Sequence, residues 1–155
     1  MTNAPTVLMQ QLDNMVGSYR EAVLDERVPA KVRSHDLRHM AFWHGYYAAV
    51  VTALAAGEAP DVLRGTYKAI NRKAQELNAR HDDAALIVMI GQAHACLLQK
   101  LPELPGDLRV PYKKGSRDYP RDAYVATITE HFDMHVRYLK KIAAGAPESF
   151  HVFHI

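Results

Sequence analysis

The sequence predicts an all-α protein: an antiparallel four-helix bundle with one long Pro/Gly-containing loop before its last helix. Apolar residues recur at three-and-four spacing in several separate segments, the rhythm of amphipathic helices. No alternating run is long enough to seed a sheet. The residues that break helices gather in a few places, above all between positions 102 and 120. A length of 155 residues, with 48% hydrophobic and 23% charged, matches one globular domain, residues 1–155, large enough to bury its own core.

The first helix is expected over residues 7–24, where Val7, Leu8, Leu12, Met15, Val16, Tyr19 and Val23 fall on one face. After a polar, Pro-containing link, Ser34 can cap a second helix that runs to about Ala56, before the break at residues 57–60. Its stretch 40–56 is hydrophobic nearly all round, as in a helix sheltered on more than one side. Asp61 offers a cap for a third helix over residues 62–79. The step His81-Asp82-Asp83 offers another for a fourth segment over residues 84–101, and these two can equally form one kinked helix. Pro102, Pro105, Gly106, Pro111, Gly115 and Pro120 then interrupt any regular helix. A final helix is expected from Arg121 to Ala144, followed by a tail with apolar Phe150, Val152, Phe153 and Ile155. There is no internal repeat.

A formal net charge of +2, spread along the chain, gives no footprint for nucleic acid. The single cysteine, Cys96, excludes an intramolecular disulfide and a cysteine metal cluster, and fits a reducing, cytoplasmic setting. Neither a leader nor a membrane span is expected. The loop at 109–121 carries five cations beside Tyr112 and Tyr119. It reads as a lid steering an anionic substrate or as a solvated connector. The apolar tail is suited to covering a groove on its own bundle or on a neighbour, which leaves a homodimer open.

Histidine is out of proportion, with nine in the chain. In the last helix the apolar stripe Tyr124, Ile128, Leu139, Ile142 is completed by His131 and His135. Two imidazoles four apart on one helical face can chelate one cation. Such pairs also arise by chance, and no Glu follows the first His as in a zinc protease. A third ligand would have to come from another helix. On helix 2 the core stripe Leu37, Met40, His44, Tyr47, Val51 favours His44, with His39 on its flank. The alternative is that some of these are buried histidines satisfied by Tyr, Asp or backbone partners. His35, His81, His151 and His154 are read as non-ligands, and His94 and Cys96 as packing residues. The aromatic cluster Phe42, Trp43, Tyr46, Tyr47 reads first as core, with hydroxyls able to complete a polar pocket.

Three stretches together carry a family resemblance. The run Asp36-Leu37-Arg38-His39-Met40-Ala41-Phe42-Trp43-His44, the segment Tyr67-Lys68-Ala69-Ile70-Asn71, and Thr129-Glu130-His131-Phe132 with His135 resemble the DinB/YfiT-like superfamily of four-helix-bundle metalloenzymes. Within it they are closest in kind to the ClbS/DfsB group. The resemblance spans roughly residues 7–143 and implies that His39, rather than His44, joins His131 and His135 as a metal ligand. It also implies zinc or nickel as cofactor, a small-molecule substrate, and hydrolysis or thiol transfer as chemistry. Trp43, His44, Tyr47, Tyr67 and Asn71 are the expected pocket. Some ClbS/DfsB-like members lack a full metal triad. A metal-free protein that binds or hydrolyses a reactive small molecule therefore remains an alternative, as does a non-catalytic dimeric binding bundle.

Overall fold

The computed structural model describes residues 4–148. The tail with Phe150, Val152, Phe153 and Ile155, and with it His151 and His154, lies outside the described residues. The described chain is mostly helical: α1 (Ala4–Val23), α2 (Ala30–Ala55), α3 (Tyr67–Asn78), α4 (Asp83–Lys100) and α5 (Arg121–Ala143).

Ser34 does not cap α2. The helix begins at Ala30, directly after Pro29, whose fixed φ suits the position before a helix. The turn ahead of it is tied instead by Arg33, whose guanidinium donates to the carbonyls of Val23, Asp25 and Val28 at 2.8, 2.9 and 3.3 Å. Ser34 sits inside the helix and its hydroxyl donates to Asp83 at 2.7 Å. Nor does Asp61 start α3, which begins at Tyr67 with Thr66 as cap, its hydroxyl accepting from the Ala69 amide at 3.1 Å. Asp82 caps α4 by accepting from Ala85 at 2.8 Å. A capped start ends any continuity with α3, so the two are separate helices.

Side-chain contacts fix the directions. Ser34, His44 and Thr52 of α2 meet Asp83, His94 and Cys96 of α4 in the same order, so these neighbours run parallel. Asp36, His39 and Tyr47 meet His135, His131 and Tyr124 in reverse order, which sets α5 antiparallel to α2. Tyr19 on Asp36 and Arg33 on Val23 set α1 antiparallel to α2 as well. The four long helices thus form two parallel pairs, α2 with α4 and α1 with α5, facing each other in opposite directions. Uniform alternation of neighbours, as an antiparallel bundle implies, does not hold. The reason is α3, which carries the chain back along α2 before α4 begins. Its Asn71, Gln75 and Asn78 bond Trp43, the His35 carbonyl and the Arg38 carbonyl at 2.7, 2.8 and 2.9 Å.

The core lies between the two pairs. Leu12 and Tyr19 of α1, Leu37 and Met40 of α2, Leu86 and Leu97 of α4, and Ile128 and Phe132 of α5 are buried in it. Among the described residues one stretch, Asp83–Glu103, has the length and mean hydropathy (1.4) of a membrane span. Its Leu86, Ile90, His94 and Leu97 are buried.

The breaker-rich segment is not featureless. After a 3-10 turn at Leu101–Glu103 it forms a small antiparallel hairpin, β1 (Arg109–Pro111) with β2 (Asp118–Pro120), which pairs Val110 with Tyr119. Gly115 supplies the left-handed backbone its tip needs, at φ 87°. Three residues per strand lie below what an alternating pattern can reveal. The hairpin packs against α2 and α5 and is tied to the connection before α3: the Lys114 amide donates to the Leu63 carbonyl at 2.7 Å. Tyr46 grips both segments, donating to the Tyr112 carbonyl at 2.7 Å and accepting from the Leu63 amide at 3.2 Å.

Candidate metal centre

His39, His131 and His135 converge between α2 and α5, with one ligand atom of each within 4.8 Å of the others. They are 4%, 2% and 1% exposed. The spacing of α5 places His131 and His135 one turn apart on its buried stripe, and their ring centroids lie 4.9 Å apart. His39 faces them across the interface, with centroid separations of 5.3 Å to His131 and 4.7 Å to His135.

The outer nitrogens of the α5 pair are committed. His135 Nδ1 lies 2.8 Å from Asp36 Oδ1, and the Tyr19 hydroxyl donates to the other carboxylate oxygen, also at 2.8 Å. Burial works against a charge on Asp36, but the charge and hydrogen bond of His135, with help from His39 and Tyr19, outweigh it and hold the carboxyl below its ordinary range. Burial, reinforced by Asp36, pushes the Tyr19 phenol well up, so it remains a donor. His131 Nδ1 lies 2.9 Å from the Tyr47 hydroxyl, which lies 2.7 Å from the hydroxyl of Tyr112. Burial, then the neighbouring tyrosines, keep Tyr47 protonated.

With both Nδ1 atoms so engaged, Nε2 is the atom each ring can offer to a ligand. The Nε2 atoms of His39 and His131 are 3.2 Å apart. Two nitrogens on one tetrahedral zinc, each about 2.0–2.1 Å from it, sit about 3.3 Å from each other. The donor set therefore fits a late first-row cation. Hydrogen bonds that orient the far nitrogens, donated to a carboxylate and to a phenol oxygen, are the supports that metal-ligating histidines usually have.

The expected pocket residues divide. Trp43, fully buried, donates from its indole to Asn71 at 2.7 Å. Its ring centroid lies 6.4 Å from that of His39, 6.3 Å from His131 and 6.2 Å from Tyr67. Tyr47 supports His131 directly. His44, by contrast, faces α4: it stacks on His94, with Nε2 3.4 Å from His94 Nδ1, and His94 Nε2 lies 2.8 Å from Asp13. Burial, then the nearby His94, lowers the His44 pKa to about 3, so that ring is neutral. His94 thus has two polar partners, and Cys96 meets the Thr52 hydroxyl at 3.1 Å. His35 is half-buried on α2 and its pKa is lowered, chiefly by burial.

Three contributors escaped the sequence reading. Asp36 stands in the run that carries the family resemblance but drew no role there; it lies one turn before His39, just ahead of the apolar stretch, and once buried a charge needs a partner. Tyr19 falls on the α1 core stripe, where only its hydroxyl distinguishes it from packing. Tyr112 lies in the irregular segment, where no periodicity marks a buried residue. It stacks on Trp43 at 5.9 Å with an interplanar angle of 14°.

No family model, curated protein or solved structure matches the chain.

Proposed function

We propose that this is a DinB-like, four-helix-bundle protein that uses His39, His131 and His135 to hold a divalent transition metal, zinc or nickel, and acts on a small molecule. The observation that carries this reading is the convergence of three buried imidazoles, two of them braced on their far nitrogens by Asp36 and Tyr47. The motifs around Asp36–His44, Tyr67–Asn71 and Thr129–His135 support it as a resemblance. A cation bound there would supply Lewis acidity, making a water or a thiol cosubstrate a nucleophile near neutral pH. Hydrolysis and thiol transfer are the two reaction classes this serves.

The protein's own part is orientation and exclusion of water. For the Nε2 lone pairs to face the centre, His135 must donate from Nδ1 to Asp36 and His131 from Nδ1 to the Tyr47 oxygen. Tyr47 can then donate onward to Tyr112. Trp43, held by Asn71, walls the centre on the α3 side, and Tyr67 extends that wall.

A second reading has its own observation. A separation of 3.2 Å between two Nε2 atoms is also a hydrogen-bond length. His39 could donate to His131 without metal, leaving the Asp36–His135 dyad as a general base with its orienting carboxylate. This is the metal-free ClbS/DfsB-like alternative.

Metal content decides between them. Tag-free protein is dialysed against a mild chelator, then offered zinc, nickel or manganese and assayed by elemental mass spectrometry. The metal reading expects about one equivalent, lost in each of His39→Ala, His131→Ala and His135→Ala while the helical circular dichroism persists. No retention under any condition, or full occupancy in all three variants, would overturn it.

A further inference from the structure

The three imidazoles are nearly sealed, at 4%, 2% and 1% exposure, so a centre that acts on anything larger than water must open. Outside the wall made by Trp43 and the supporting Tyr47, the outer cover is the hairpin. Tyr112, 3% exposed, lies flat on Trp43 and reaches the Tyr47 hydroxyl. The hairpin carrying it is held by a short set of ties: the Lys114 amide on Leu63, the Lys113 ammonium 5.0 Å over the Tyr67 ring, the Tyr46 hydroxyl on the Tyr112 carbonyl, the Tyr47 hydroxyl on that of Tyr112, and the burial of Val110. A two-stranded hairpin is marginal on its own, so these ties decide how often it lifts.

We propose that the hairpin is a gate with Tyr46 as its latch, and that Tyr112 is a plug standing where the ring of a planar, hydroxyl-bearing small molecule binds. The proposal rests on the reading of the histidine centre as a working site and names its ligand class. A phenol-like ring entering as Tyr112 leaves would stack on Trp43 and place its hydroxyl on Tyr47, one hydrogen bond from His131. Opening also removes Tyr112 from Tyr47, so admission of a ligand and loosening of the His131 support are one motion.

The test is the rate at which diethyl pyrocarbonate modifies each histidine of the metal-free chain, mapped by peptide mass spectrometry. Tyr46→Phe keeps the ring and removes the latch. Loss of its bond to the Tyr112 carbonyl should raise the opening equilibrium on the order of fivefold. His39 and His131 should then be modified about fivefold faster, and His81, remote from the hairpin, at an unchanged rate. Tyr112→Ala should also speed modification at both positions, and millimolar p-cresol should slow it again by refilling the place of the ring. Equal rates in Tyr46→Phe and the parent, or an acceleration at all histidines alike, would overturn the gate. Absence of protection by p-cresol would overturn the plug. Because this readout needs no metal, failure to load zinc would count against the metal centre without touching the gate.

Discussion

His135 and Asp36 form a buried pair across α5 and α2, Nδ1 to Oδ1 at 2.8 Å, with the carboxylate's second oxygen taken by Tyr19. Three helices therefore meet at one carboxylate. Because a charge this deep is tolerable only while paired, its loss should register in both stability and ligation. Asp36→Ala should destabilise the fold by about 3–5 kcal/mol in urea unfolding. Asp36→Asn keeps the shape and should cost less, while weakening zinc about 10–100-fold in a competition assay, because a neutral amide orients His135 less firmly. Unchanged zinc affinity in Asp36→Asn would show that the carboxylate serves packing alone.

Tyr47→Phe probes the other support. It strands His131 Nδ1 and removes the partner of the Tyr112 hydroxyl in a wholly buried setting. A loss of about 1–3 kcal/mol is expected from the stranded groups, with a fall in zinc affinity of similar size to that in Asp36→Asn. Calorimetric melting with and without zinc separates the two contributions.

The positions of the helix caps give a sharper check on the helix boundaries. Thr66→Ala and Asp82→Ala each remove a side-chain acceptor from a helix start and should cost about 1 kcal/mol in urea unfolding. Asp61→Ala and Ser34→Ala separate the sequence expectation from the structure differently. Asp61 caps nothing, so its loss should fall within about 0.5 kcal/mol. Ser34→Ala should cost about 1 kcal/mol through its lost bond to Asp83. A large effect at Asp61 would place the start of α3 where the sequence alone had put it.

The sequence carried the mostly helical class and the α5 histidine pair because strict helical spacing survives translation into burial: Tyr124, Ile128, His131, His135, Leu139 and Ile142 are all buried. On α2 the same reasoning lost its direction. Leu37, Met40, His44, Tyr47 and Val51 are all fully buried as the stripe predicts, but this helix is covered on several sides, so burial does not say which neighbour a side chain faces. His44 went to His94 of α4 and His39 to α5. Only the family resemblance had preferred His39. The parallel course of α2 and α4 was hidden because it depends on α3 turning back, a property of connections rather than of composition. Tyr112 was hidden because its burial comes from a hairpin too short to show a period.

The second histidine pair supplies the pH dependence. His94 donating from Nε2 to Asp13 leaves its Nδ1 to accept from His44 Nε2, and a core-buried His44 must then stay neutral, as its pKa near 3 requires. In the unfolded chain the same ring takes a proton below its ordinary value of about 6.5. The folded pKa lies below the unfolded one, so His44 contributes stability that is complete above about pH 6.5. That contribution is lost progressively as pH falls toward 3. Each pH unit inside this window should remove about 1.4 kcal/mol on this account, or about 2 kcal/mol between pH 7 and pH 5. The quantity to measure is a difference between two proteins. His44→Phe, compared with the parent by urea unfolding at pH 7, 6 and 5, should take up about one proton fewer on unfolding and show a correspondingly shallower slope. It should also be less stable at pH 7, where His94 Nδ1 has lost its donor. An identical slope in the two proteins would mean that His44 can be protonated within the folded state, and that the α4 side of the core is open to water.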